Sequence, residues 1–134
     1  MKTSELTGAA LDWEVAKCEG VVTIRNFPGL AYIPKGKRSY YKYTPSTNWK
    51  QGGPIVEENI FKLFRNVGGS WTAHIKKRIP YYSPTYDADI GADEILSKAG
   101  PTPLIAAMRC YCCAKLGDEV GIPEELQPCQ QLNP

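Results

Sequence analysis

The sequence predicts an α+β domain, a small antiparallel sheet with one helix towards the N-terminus and another towards the C-terminus. Three observations carry that expectation. Residues 4–18 and 104–116 are apolar at helical spacing and contain no proline. Trp71, Ala73 and Ile75 alternate with Thr72, His74 and Lys76, the period of a half-buried strand. Between such segments glycine and proline gather in turn-forming clusters. With 134 residues, 43% of them hydrophobic and 22% charged, the chain reads as a single domain over 1–134, with a flexible tail at 123–134.

The first helix is expected over 4–18, capped by Thr3, with Glu5 in the first turn and Gly20 as its stop. Leu6, Ala9, Ala10, Trp13 and Ala16 share one face, and Leu11, Val15 and Cys18 lie nearly opposite, so the helix needs two packing partners. Residues 21–25 form a β-branched run that predicts a strand, and 30–33 a second short one. Residues 34–43 read as polar and exposed. Residues 44–54 read as a structured loop around Trp49, because Pro45, Gly52, Gly53 and Pro54 punctuate them. Residues 55–64 fit a short helix or an irregular strand, and 80–100 read as a long connection carrying Asp87, Asp89, Asp93 and Glu94. The last helix is announced by Thr102 as N-cap with Pro103 in the first helical position, and Gly117 closes it. Its circumference is apolar almost throughout, which predicts a central helix or one sandwiched in an assembly.

Charge and cysteine usage narrow the function classes. A formal net charge of +2 is too slight for bulk electrostatic binding of nucleic acid. No apolar run approaches a bilayer span and no signal-like segment opens the chain, so no membrane partner is expected. Five cysteines, three of them at Cys110, Cys112 and Cys113, make a poor disulfide framework and suit a reducing cytoplasm.

Arg109 stands in the middle of the apolar last helix. Its guanidinium needs a partner: a carboxylate such as Glu94 or Asp118, water at a helix edge, or an anionic ligand, for which the planar fork suits phosphate. Lys17 projects near Leu6 and Trp13, either snorkelling to water or reaching a ligand. Asn48, Trp49, Gly52 and Gly53 offer amide groups, an indole and bare backbone, fitting either a nucleotide base or a turn anchored by a buried Trp49. Trp71 is a second indole for a base, and Thr102 adds a hydroxyl at a helix start. The stretch 35–43 interleaves lysine, arginine and tyrosine, which suits single-stranded nucleic acid or a solvated strand edge.

Catalytic and metal patterns are poor. Neither a P-loop nor a dinucleotide fingerprint is present. Cys110 and Cys113 have no second cysteine pair, and Asp87, Asp89 and Gly91 lack the glutamate of a calcium loop. His74 has no nucleophile elbow nearby. The expectation is a protein that is not an enzyme and uses no cofactor.

Residues 1–20 (MKTSELTGAALDWEVAKCEG), 43–56 (YTPSTNWKQGGPIV) and 100–120 (GPTPLIAAMRCYCCAKLGDEV) resemble the NinX family of small phage proteins. The family usually has Asp where this chain has Asn48, and a small residue at Lys50. The resemblance implies phage origin and the cytoplasm of the infected bacterial host. In size, setting and chemistry the chain is also similar to the phage sponges that counter Thoeris immunity, which bind cyclic ADP-ribose isomers or cyclic oligonucleotides in oligomers without cleaving them. That likeness implies sequestration of a small nucleotide, with Arg109 on phosphate and Trp49 or Trp71 near a base. An accessory nucleic-acid- or protein-binding role in phage replication or recombination is the alternative. The surplus apolar circumference of the two helices further predicts a homo-oligomer built from twofold dimers, which the sponge likeness extends towards a hexamer.

Overall fold

The computed structural model describes residues 1–21, 30–32 and 40–122. A 3₁₀ turn over Thr3–Glu5 precedes helix α1, Gly8–Glu19. The helix thus begins after Thr7, not at the expected Thr3 cap. Thr3 is buried instead, and its hydroxyl lies 3.2 Å from the carbonyl oxygens of both Gly117 and Asp118. Gly20 ends the helix in the left-handed conformation, as expected, with its N–H returned to the last turn.

Strands β1 (Leu30–Tyr32) and β2 (Tyr40–Lys42) pair as an antiparallel ribbon. Positions 22–25 of the expected first strand, and 34–39 of the basic-aromatic stretch, lie outside the described residues. The exposed reading fails at Tyr43, which is buried edge-on against Tyr41.

Of the expected loop 44–54, residues 44–48 are a turn, but 49–54 are helical. Helix α2 spans Trp49–Asn59 and carries Gly52, Gly53 and Pro54 in its interior. Two glycines and a proline disfavour a helix by several kcal/mol relative to alanine, so packing and capping hold it. Asn48 caps it, its side chain accepting from Lys50 N at 2.9 Å. Ile55 is buried, and Gln51 accepts from Thr44 N at 2.7 Å. Residues 55–64 divide between the two forms expected of them, ending α2 and starting strand β3, Lys62–Arg65.

The expected strand at Trp71 is β4, Trp71–Ile79. The long connection after it is largely strand: β5 (Tyr82–Ser83) pairs with β6 (Ala88–Asp89), and β7 (Ala92–Gly100) pairs with β4 over nine residues. Charged residues on both faces of β7 hide its period. The sheet order is β3-β4-β7, all antiparallel.

Helix α3, Pro103–Leu116, lies across one sheet face and is held on its other sides by α1, α2 and the 3₁₀ turn. Leu104 to Met108 and Cys110 to Cys113 are all buried. In α1, Ala10, Leu11, Val15 and Ala16 are also buried, while Ala9 is exposed. The apolar circumference that predicted subunit contacts is therefore covered within the chain, by helices as well as by the sheet.

Candidate functional site

The N-termini of α2 and α3 open on one cavity of about 220 Å³, lined by Ser46, Thr47, Trp49, Thr102 and Leu104. Close packing brings them together. A Cβ added at Gly52 would sit 2.3 Å from the Pro45 carbonyl oxygen and 2.8 Å from Leu104 Cδ2, so only glycine lets α2 approach there. Asp12 fixes the loop before α2: its buried carboxylate accepts from Ser46 N at 2.8 Å. Burial raises the Asp12 pKa, and the Ser46 contacts partly offset that.

The residues that line the cavity carry hydrogen-bonding groups left over by helix geometry. The first N–H groups of any helix lack partners within it. Here the caps take Lys50 N and Ile105 N, the latter donating to Thr102 Oγ1 at 3.1 Å. The main-chain N–H groups of Trp49 and Leu104 make no hydrogen bond among the described residues. Ser46 Oγ is buried without a hydrogen bond in good geometry, although it stands close enough to the Asp12 carboxyl to lower its pKa. Two helix dipoles add partial positive charge at the same place. Trp49 is 53% exposed, so it is not the buried anchor of a turn.

Trp49 and Thr102 are thus brought together, with Asn48 as the cap beside them. Gly52 serves packing. Gly53 meets only Trp49 Cε3, at 3.9 Å from an added Cβ. The other candidates are not among the lining residues. Arg109 pairs with neither Glu94 nor Asp118: its Nε donates to Leu6 O at 2.7 Å and its Nη1 to Ala99 O at 3.0 Å, and burial lowers its pKa. Lys17 is exposed, with Nζ 3.2 Å from Glu14 Oε2 and 4.6 Å from the Trp13 ring centroid. Trp71 is half-buried and packs against the core.

Sequence reasoning missed Ser46, Thr47 and Leu104. A Ser-Thr-Asn run before Trp49 is a helix-start signal, and the following Gly-Gly-Pro obscured it. It also missed Glu14, which is fully buried with Lys17 Nζ, 3.2 Å from its Oε2, as its ion-pair partner; burial raises its pKa, and the Lys17 contact partly offsets that. The cysteine pair Cys110 and Cys113 sits in the buried part of α3, where burial pushes the Cys110 thiol up to about 11.

A family model described as Bacteriophage P22, NinX matches residues 2–115. The chain belongs to the NinX family. The match runs through residues 59–98, where the three resembling blocks leave a gap, and so includes the β3-β4-β7 sheet with α2 and α3. The NinX match makes this a phage protein. No curated protein matches the chain. No helix among the described residues is long and apolar enough to cross a membrane.

Proposed function

We propose that this NinX-family protein is a phage accessory factor that binds a small nucleotide at the joined N-termini of α2 and α3 and holds it without cleaving it. The ligand class is a cyclic nucleotide immune signal, a cyclic ADP-ribose isomer or a cyclic oligonucleotide, sequestered in the cytoplasm of the infected host. One observation carries the reading: the unbonded N–H groups of Trp49 and Leu104 belong to residues lining a single cavity, beside the hydroxyls of Ser46, Thr47 and Thr102. Helix N-termini of this kind receive phosphate. The exposed Trp49 indole supplies a stacking surface for an adjoining base.

A cavity of about 220 Å³ is smaller than most whole-ligand pockets, which run from about 300 Å³ upward. It suits one phosphate with its sugar, while the rest of the ligand lies across Trp49. A second subunit closing over that indole would complete the enclosure, so a twofold dimer, or a hexamer built of such dimers, belongs to the proposal.

Incubation with cyclic ADP-ribose isomers and cyclic di- and trinucleotides, then heat release and chromatography, tests it. Intact ligand should be recovered from the wild type and at least tenfold less from Trp49→Ala. A cleaved product would contradict sequestration, and retention of none of these ligands would remove the reading. Light scattering over a dilution series tests the assembly, and a monomer at tens of micromolar would remove that part.

A further inference from the structure

The face of the sheet opposite α3 has no described element packed on it, and its composition is unlike that of a merely solvated surface. Register places Lys62 opposite His74, Phe64 opposite Thr72, His74 opposite Ser97 and Lys76 opposite Ile95, all on this face. Phe61, just before β3, joins them by donating its N–H to His74 O at 3.1 Å. The rings form one cluster: Phe64 and His74 are edge-on at 5.4 Å, and Phe61 lies 6.0 Å from His74. Cations cover its edges, with Lys62 Nζ 5.2 Å from the Phe64 centroid and Lys76 Nζ 4.9 Å from that of Phe61. Phe61 is 46% and Ile95 54% exposed.

The cluster continues into a basic groove. β4 runs on past the end of β3, and round that open edge, on the α3 side, lies a cavity of about 370 Å³ lined by Lys76, Lys77 and Arg78 of β4, Lys115 of α3 and, as its one acid, Glu58 of α2. Lys76 belongs to both, touching the Phe61 ring and lining the groove. On the sheet face itself the facing carboxylate is Asp93, already paired with Arg78 at 3.6 Å.

We propose that this face and the adjoining groove bind single-stranded nucleic acid, bases stacking on Phe61, Phe64 and His74 and phosphates following Lys62, Lys76 and the groove lysines. Aromatic rings beside a cationic track are the chemistry of sequence-tolerant single-strand binding. A net charge of +2 hides this because the positive charge is local. A second copy of the chain fits worse, since the same face would set lysines against lysines. A duplex fits worse too, because its bases are stacked on each other and offer no ring face. The site is separate from the cavity at Trp49 and does not depend on it.

Fluorescence anisotropy with labelled dT20, U20 and a 20-base-pair duplex tests the proposal. Both single strands should bind more tightly than the duplex, or one of them should, which would also fix the sugar preference. About three phosphate contacts predict a roughly 20-fold loss of affinity between 50 and 200 mM salt. Phe64→Ala should weaken binding by about 5- to 100-fold, the range for loss of one stacking ring. Because Phe64 is partly buried, Lys76→Glu at an exposed position provides the second variant, and it should abolish most binding while the fold persists by circular dichroism. Trp49→Ala should change nothing here. Failure of every oligonucleotide to bind at tens of micromolar would overturn the proposal, as would binding insensitive to Lys76→Glu. Self-association lost in Phe64→Ala, without oligonucleotide binding, would assign the face to a second copy and equally overturn it.

Discussion

Adjacent glycines in α2 should respond to the same substitution with opposite signs. Replacing either by alanine favours helix by about 1 kcal/mol, because alanine loses less backbone freedom. At Gly53 that gain stands almost alone, since the new Cβ meets only Trp49 Cε3 at 3.9 Å. At Gly52 the Cβ falls 2.3 Å from Pro45 O, about 1 Å short of ordinary contact, and the obstacle is backbone that a rotamer change cannot move. Overpacking costs about 1–3 kcal/mol, and a rigid obstacle belongs at the upper end. The net expectation is a loss of about 2 kcal/mol for Gly52→Ala and a gain of about 0.5–1 kcal/mol for Gly53→Ala. For a chain of this length the two should melt roughly 10 °C apart. Thermal and urea unfolding measure both. If both variants were stabilised, or both destabilised alike, the close approach of α2 to the 45–48 loop would be wrong, and the cavity wall with it.

Three further outcomes follow from the contacts described. Arg109→Ala should lower stability by about 2 kcal/mol in urea unfolding, because it strips the Leu6 and Ala99 carbonyls of their donors. Unchanged stability would return that arginine to a role in ligand capture alone. Thr102→Ala removes the α3 cap and should cost about 1 kcal/mol, and a silent variant would show that Pro103 and packing suffice to start the helix. Glu14 and Asp12 have pKa values raised by burial, so the native chain holds those protons to higher pH than the unfolded chain does. Stability should therefore fall as pH climbs from the ordinary carboxylate range through the raised native values. Glu14→Gln should flatten that decline, and an unaltered pH profile would show that Glu14 makes no such contribution.

The parts of the fold that sequence reveals are those where local chemistry and tertiary context agree. Thr102, Pro103 and Gly117 bracket α3 as their backbone preferences require, and β4 alternates because one of its faces meets that helix. Where they disagree, the pattern misleads. Gly-Gly-Pro signals a turn, yet Gly52 is in α2 because nothing larger fits between Pro45 and Leu104. β7 alternates weakly because its outer face is open and its inner face carries Glu94 and Lys98, so its pairing with β4, and not its composition, makes it a strand. The candidate site shows the same division. Trp49 and Thr102 stand out as an indole and a cap, but their meeting depends on how two helices far apart in sequence dock. The ring cluster on the sheet is invisible in sequence for a similar reason, since Phe64 and His74 become neighbours only through strand register.

Thr3 has a consequence for how the chain is made. Its hydroxyl and N–H both bond to groups at positions 117 and 118, and Met1 closes on Val120. At a synthesis rate of about 5–20 residues per second, roughly 6 to 23 s separate the first residues from the partners that satisfy them. During that interval the 3₁₀ turn has no dock, and the apolar side of α1 has no α3 to cover it. A nascent chain stalled before position 103 would present Leu11 and Val15 to solvent, the kind of surface that chaperones and proteases recognise. Among the described residues the contacts between positions 1–3 and 117–120 thus form late, and a truncation within α3 would leave the N-terminal third of the chain unprotected as well.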